Sequence, residues 1–471
     1  MGCSWITSVR RWGRLENQGR GPSDYTASSG RPDCARMPRH RAREHRYQDM
    51  WSLLYQLTLS LATLAAAPVL LLRRRSHYAS SIRHRLGMKR LPAAGKTPPL
   101  WIHAVSVGEV NVAATVAPHL SHLFPLLVTT VTSTGQERAR EEFPKARVAY
   151  LPFDLGVPVR RFFDHFHPQL LVLTEGDLWP TVLRYARRRG VPIVVINGRV
   201  SDRSFRRMLR VRPFLSPLLG PVDQFGVQTE ADRARLVALG VPPRKVSVTG
   251  NLKFDSPEPP LSEELESLIG RLASGRSILV AGSTMPGEEE QVLEAFDTIG
   301  SGSRALLILA PRHPERLQAV ADLLSRSGLE WVRRSEIGGT STETPAVVLL
   351  DTLGELAGLY RLASSAFIGG TLTPTGGHNP LEAARFGVPV VVGPSMENFL
   401  EIESVFDDAR AWERVQSPDQ LARRWAQWLD SPARAGELGR RGSELVDSHR
   451  GALTRTLELL EPWLPNPKEG E

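Results

Sequence analysis

The stretch Phe367-Ile368-Gly369-Gly370, followed after five residues by Gly376-Gly377-His378-Asn379-Pro380-Leu381-Glu382, reads as an apolar strand, a glycine loop and the start of a helix. Asn379 suits an N-cap and Pro380 the first helical position, where its missing N–H costs nothing. The free N–H groups of that first turn and the positive end of the helix dipole then face an anion. Glu382, in the same turn, is placed to accept hydrogen bonds from a ribose. Strand, loop and helix start together predict a nucleotide site. The alternative is a glycine turn that only joins a strand to a helix.

Outward from this stretch, the chain from residue 100 alternates short β-branched runs with longer helical segments, the pattern of parallel strands joined by crossover helices. Strands are expected at 100–104, 126–131, 147–151, 170–173, 193–196, 224–227 and 246–248. After the break Asp255-Ser256-Pro257-Glu258-Pro259-Pro260, a second series is expected at 277–281, 305–310, 330–332, 346–350, 366–368 and 388–392. The reading is an α/β protein of two Rossmann-like domains facing a cleft, residues 100–255 for the acceptor and 262–450 for the donor. Residues 412–463 read as helical, finishing the second domain and packing back across the cleft, with 451–471 as the helix end and tail. No G-x-G-x-x-G follows a strand and no G-x-x-x-x-G-K-[ST] occurs. A dehydrogenase or P-loop enzyme is therefore disfavoured, and a nucleotide-sugar transferase fits better.

Charge is unevenly placed along the 471 residues. Residues 1–90 hold 17 Lys and Arg against 5 Asp and Glu, a net +12 in a chain of net +9, so residues 91–471 are net −3. The body is not a nucleic-acid-binding surface. Residues 1–46, rich in Arg, Gly, Ser and Pro without apolar periodicity, read as disordered, or as untranslated if Met50 is the start. Trp51 to Leu72 is a run of 22 residues without a charged side chain, long enough for a membrane-associated helix. It reads as a span or as a helix dipped into one leaflet, with a cleaved signal peptide as the other alternative. Arg73, Arg74, Arg75, Arg83, Arg85, Lys89 and Arg90 then form a basic linker over 73–99, suited to anionic lipids on the cytoplasmic side of the inner membrane. Both cysteines, Cys3 and Cys34, precede the body, which excludes a disulfide framework there.

In open α/β sheets ligands sit beyond the carboxyl ends of strands, so the loops there hold the candidate residues. Glu109, in His103-Ala104-Val105-Ser106-Val107-Gly108-Glu109, is placed to take a proton from a hydroxyl, or else only stabilises a helix N-terminus. Glu175 follows the fourth strand, with Asp177 as a cap for the next helix. Lys253, beside the interdomain break, sits over a negatively charged substrate or is a solvated lysine. Arg312, after Pro311, stacks on a base or forks onto a phosphate, or is a surface arginine. Leu353, Gly354 and Glu355 follow a further strand, and Gly354 allows close approach of a backbone to a nucleotide. The pairs His119/His122 and His165/His167 lack metal-site spacing, so no protein-bound metal is indicated.

These segments, in this order, resemble the 3-deoxy-D-manno-octulosonic acid (Kdo) transferases of lipopolysaccharide assembly. The resemblance spans about residues 51–450. It is carried by the His103–Glu109 segment, Gly250-Asn251-Leu252-Lys253-Phe254-Asp255, Pro311-Arg312-His313-Pro314-Glu315-Arg316, Asp351-Thr352-Leu353-Gly354-Glu355-Leu356 and the Gly376–Glu382 segment. It implies a GT-B fold, CMP-Kdo as donor substrate with no separate cofactor, a lipid A precursor such as lipid IVA as acceptor, and inversion at the anomeric carbon. By the same resemblance Glu109 is the proton acceptor and Glu175 and Lys253 stabilise the transition state. Pro311, Arg312, Leu353, Gly354, Glu355, Asn379, Pro380, Leu381 and Glu382 match the CMP-binding segments. Gly176 stands where the family usually has a bulkier residue, a departure that bears on the acceptor. The competing readings are a GT-B transferase or epimerase using a UDP-linked sugar, and a membrane-tethered nucleotide-binding protein without catalysis.

Overall fold

The computed structural model describes residue 82 and residues 84–86, 91–212, 215–300, 302–337 and 344–465. The expected extension over 1–46, the apolar run 51–72 and most of the basic linker lie outside the described residues. Among the described residues no helix is long and apolar enough to cross a membrane.

The first sheet is built from β1 (Leu100–His103), β2 (Leu126–Thr130), β3 (Arg147–Tyr150), β4 (Leu170–Thr174), β5 (Ile193–Gly198), β6 (Gln224–Val227) and β7 (Val246–Val248). Its order is β3-β2-β1-β4-β5-β6-β7, with every pairing parallel. Alternate residues feed opposite faces. Trp101, Leu127, Leu171 and Val195 pack into one core, while Ile102, Val128, Val172 and Ile196 pack into another. Both faces are covered by helices, which is why the strands read as apolar runs.

The second sheet is built from β8 (Ser277–Thr284), β9 (Ala305–Pro311), β10 (Trp331–Arg333), β11 (Val347–Leu349), β12 (Ser365–Ile368), β13 (Val390–Val392) and β14 (Glu413–Arg414). Its order is β10-β11-β9-β8-β12-β13-β14, again parallel throughout. Ile278, Val280, Leu306 and Ile308 feed one core, and Leu279, Ala281, Leu307 and Leu309 the other. The short edge strand β14 falls in the segment read from sequence as wholly helical. Two residues are too few to carry a periodic signal, and their pairing with β13 makes the strand.

Each sheet has a switch point where strand order reverses. In the first it lies between β1 and β4, in the second between β8 and β12. Crevices open at such points beyond the carboxyl ends of the strands. The two halves are joined by polar contacts beside the break at 255–260. The Asp255 carboxylate accepts the backbone N–H groups of Gly451 at 2.9 Å and Leu453 at 2.7 Å. Arg385 donates to the carbonyls of Ser256 and Pro257 at 3.1 and 2.8 Å. Helix Ala452–Leu460 buries Ala452 and Leu460 in the core of the first sheet, so the chain crosses back to the first half after the second.

Candidate functional site

Glu109 lies in the first turn of helix Val107–Ser121, directly after β1, and is only 8% exposed. Its Oε2 accepts the Val105 N–H at 2.9 Å and the Thr174 hydroxyl at 2.9 Å. Among the described residues, its Oε1 has only the Ser106 hydroxyl, at 3.4 Å. Burial pushes the Glu109 carboxyl up to about 7; the Val105 and Thr174 hydrogen bonds oppose the shift, and the Asp177 and Glu175 charges add to it. A carboxylate poised there is half ionised near neutral pH and is suited to proton transfer. His103 is buried and held neutral by desolvation, its pKa lowered to about 4.

Glu175 follows β4 in the left-handed backbone region, with φ 55°. Its neighbour across the sheet, Asn197, has φ 54°. Non-glycine residues so held are uncommon and gather at functional strand ends. Glu175 Oε1 lies 3.3 Å from Lys253 Nζ and 3.4 Å from Asn197 Nδ2. Asn197 in turn accepts the Leu252 N–H at 2.9 Å through its side-chain oxygen, which ties the Lys253 turn to the β5 end. Lys253 Nζ also stands 5.8 Å from the centre of the Phe399 ring in the second half. Asp177 does not cap the following helix: Pro180–Arg188 is capped from outside by Asp154, whose carboxylate accepts the Thr181 and Val182 N–H groups at 3.0 and 2.9 Å. A capping partner distant in sequence leaves no local signal.

On the opposite wall, Gly369 meets β8 so closely that a Cβ would lie 2.3 Å from the Ser283 carbonyl oxygen, so no larger residue fits. The glycine loop does not offer its N–H groups to a ligand. The buried carboxylate of Glu288 accepts those of Gly370, Thr371 and Leu372 at 2.6, 2.9 and 2.8 Å, and that of Met285 at 2.9 Å. The Gly376 N–H goes to Ser395 Oγ and the Gly377 N–H to the Gly370 carbonyl. Among the described residues, the backbone N–H groups of His378 and Asn379 have no partner.

The helix expected after Asn379 is a single turn, Leu381–Ala384. Asn379 does act as a cap, accepting the Leu381 N–H at 3.2 Å. So short a helix has only a small dipole, and the expected dipole contribution shrinks to individual N–H groups. Glu382 is part-buried, its carboxyl raised by burial, while Asn379, Arg385, Arg312 and Arg138 pull it down. Arg138 belongs to the first half, so its charge reaches Glu382 across the cleft. Arg312 is exposed at the end of β9, after Pro311, and its charge also reaches His378, whose pKa burial lowers to about 4. Leu353 is 84% exposed and Gly354 has φ 85° with open space around it. Glu355 is held by Arg334 at 3.0 Å and by the Thr352 hydroxyl.

The structure therefore brings Glu109, Glu175 and Lys253 together at one switch point, and Arg312, Asn379 and Glu382 together at the other. Sequence reasoning missed Glu288, whose Glu288-Glu289-Glu290 run reads as an ordinary acidic helix start. It also missed Glu401, a carboxylate raised to about 7 by burial and bonded through Oε2 to Asn251 Nδ2 at 3.3 Å across the two halves. Among the described residues no cluster of His, Cys, Asp and Glu suited to a metal ion occurs.

The family model for 3-deoxy-D-manno-octulosonic-acid transferase (kdotransferase) matches residues 80–256. The chain is 36% identical over 376 residues to the 3-deoxy-D-manno-octulosonic acid transferase of Haemophilus influenzae, covering 78% of this chain and 88% of that one. The corresponding values for the Bordetella pertussis enzyme are 35% over 382 residues, 78% and 87%. The chain belongs to the Kdo transferase family. Its fold is similar to that of the UDP-GlcNAc 2-epimerase of Neisseria meningitidis, with a TM-score of 0.51 at 13% identity, covering 77% of this chain and 99% of that one. That likeness extends the Kdo transferase assignment only to architecture, two Rossmann-like domains of the GT-B kind.

Proposed function

We propose that the protein is an inverting glycosyltransferase that moves Kdo from CMP-Kdo to a lipid A precursor, lipid IVA or a close relative, in lipopolysaccharide assembly. The observation that carries the reading is Glu109: a buried carboxylate with its pKa near 7, at the switch point of a chain belonging to the Kdo transferases. The anomeric carbon of Kdo is a ketose centre bearing a carboxylate, so an incoming hydroxyl must be well placed and must lose its proton as it attacks. The acceptor oxygen forms the new bond to that carbon, the bond from carbon to the phosphate oxygen breaks, and CMP leaves with the electron pair. The proton goes to Glu109, through Oε1, the oxygen with spare acceptor capacity. Lys253, paired with Glu175, stabilises negative charge on the Kdo carboxylate or phosphate. Arg312 and the free N–H groups of His378 and Asn379 hold the CMP phosphate, and Glu382 the ribose.

The family membership and the anionic acceptor favour a membrane setting, with the body on the cytoplasmic side of the inner membrane. Helix Asp202–Arg210 supports anionic lipid as a partner: it has no buried residue and exposes Arg203, Arg206, Arg207 and Arg210, followed by Arg212. None of the five forms an ion pair among the described residues. Leu209 and Val211 beside them are 41% and 45% exposed. A basic helix with exposed apolar residues suits a headgroup layer.

The test is incubation of the purified protein with lipid IVA and freshly made CMP-Kdo, or with UDP-sugars in parallel, followed by mass spectrometry of the lipid. Mass increments of Kdo only with CMP-Kdo are expected. Transfer from a UDP-sugar alone, or no transfer from either, overturns the reading.

A further inference from the structure

Thr174 ends β4 beside Glu109 and is 1% exposed. Its Oγ1 stands 2.9 Å from Glu109 Oε2 and 2.8 Å from the carbonyl oxygen of His103. When Glu109 is ionised both neighbours are acceptors, and a hydroxyl has one hydrogen to give. No described group donates to Thr174 Oγ1, so rotation of the hydroxyl is free to choose between them. A bond to a carboxylate is the stronger of the two, so the hydrogen rests on Oε2 while Glu109 is charged. Once Glu109 takes up a proton that preference is lost, and the His103 carbonyl offers a second seat at nearly equal distance.

From this geometry we infer that Thr174 is a positioning residue for proton transfer: a two-position donor that supports Glu109 while it is charged and turns to the His103 carbonyl when Glu109 becomes neutral. The buried hydroxyl thus keeps an acceptor in both states of the base. The Val105 N–H is a fixed donor, and it keeps Oε2 oriented in both states. The inference rests on the proposed role of Glu109 as the base.

The other titratable groups around Glu109 act differently. Glu175 and Asp177, from the loop after β4, disfavour its ionised form. His103, on β1, is neutral. Lys253, on the turn packed beside the helix, is paired with Glu175. Arg138, on the neighbouring helix, bonds Asn111, Glu141 and Glu142. Arg455, on the returning helix, bonds the Thr249 carbonyl. Among the described residues, Thr174 is the one side chain with a separation below 3 Å to both Glu109 and a second acceptor.

The test measures turnover against pH at saturating CMP-Kdo for the wild type, Thr174→Val, Thr174→Ser and Glu109→Gln. Valine keeps the shape and suits a strand but has no hydrogen to donate. The acidic limb of Thr174→Val is expected to move up by about one pH unit, about tenfold in turnover below the limb, with KM for the donor unchanged. Serine is expected to restore the limb. An unshifted limb in Thr174→Val, or an equal shift in both variants, overturns the inference and leaves the Glu109 assignment standing. Retained turnover in Glu109→Gln removes the base itself. If Thr174→Val does not accumulate as folded protein, Thr174→Ala, which likewise has no hydrogen to donate, is held to the same criterion.

Discussion

Replacing Glu288 by glutamine tests whether the glycine loop is held from inside. Glu288 is 0% exposed, with Oε1 accepting from Thr371, Leu372 and, at 3.4 Å, Thr373, and Oε2 from Gly370 and Met285. Glutamine keeps the volume but turns one oxygen into an amide that only donates. In its better orientation the remaining oxygen serves the Thr371 to Thr373 side, and the N–H groups of Gly370 and Met285 lose their acceptor. Two stranded buried donors cost about 1–3 kcal/mol each, so about 2–6 kcal/mol in all. For a half of this size, about 2–4 °C per kcal/mol, the melting point should fall by at least about 4 °C in a thermal scan followed by circular dichroism. Glu290→Gln, two residues on and exposed, is the control, expected within about 0.5 kcal/mol of wild type. CMP binding by calorimetry should weaken in Glu288→Gln only, because the loop leads directly to His378 and Asn379. A Glu288→Gln protein that melts and binds CMP as the control does would refute this account of the loop.

Glu109→Gln should lower turnover by about 10²–10⁴ while CMP affinity stays within a few fold, checked by a coupled assay and calorimetry. The same variant has a stability signature. Because the folded carboxyl is raised from 4.5 to about 7, the folded protein holds a proton that the unfolded chain has released between those values. Stability is therefore lost as pH rises through that window, by about 3 kcal/mol from this group, and Glu109→Gln should flatten that part of the pH profile in denaturant melts. Arg312→Ala should weaken CMP binding by about 10–100-fold, the loss of a charge-assisted hydrogen bond, with unchanged affinity marking it as a surface arginine. Changing Arg203, Arg206, Arg207 and Arg210 to glutamine should reduce partitioning onto vesicles containing anionic lipid by at least about tenfold, at about 1 kcal/mol per charge, and leave neutral vesicles unaffected.

The two parallel sheets were legible because their strands are apolar on both faces and closely spaced by helical segments. Strand ends differ from expectation by three residues at most, as at β8, which runs on through Gly282, Ser283 and Thr284. Gly282 and Ser283 interrupt the β-branched signal before Thr284, and pairing of Gly282 and Thr284 with β9, and of Gly282 with β12, extends the strand. Loops beyond strand ends led to Glu109, Glu175, Lys253 and Arg312 because the topology rule needs no knowledge of contacts. What stayed hidden depends on partners far apart in the chain. Asp154 caps a helix 27 residues on, Glu288 holds a loop more than 80 residues on, and Asn251 meets Glu401 across 150. The helix at Leu381 was overestimated because cap and proline announce a start but say nothing of length, and Phe386-Gly387 ends it after one turn.

Glu109 and Glu175 stand at neighbouring strand ends, and the surroundings of each assign it different chemistry. Glu175 has a cation 3.3 Å away, and its backbone lies in the left-handed region. Among the described residues, Glu109 has no cation as a hydrogen-bond partner, only a backbone N–H and two hydroxyls, and it is the more deeply buried. A carboxylate paired with lysine holds that lysine in place. A carboxylate desolvated without a cation is basic enough to take a proton near neutral pH. Exchanging the two environments would exchange the two tasks, because the difference lies in what surrounds each carboxylate and not in the glutamates themselves. Removing Lys253 should therefore damage turnover in two ways. It takes a positive charge from the reacting centre and leaves the Glu175 repulsion, already felt by Glu109, without its neutralising partner. Lys253→Ala should accordingly move the acidic limb of the rate profile upward as well as lowering its plateau. A lowered plateau with the limb unmoved would confine Lys253 to the substrate.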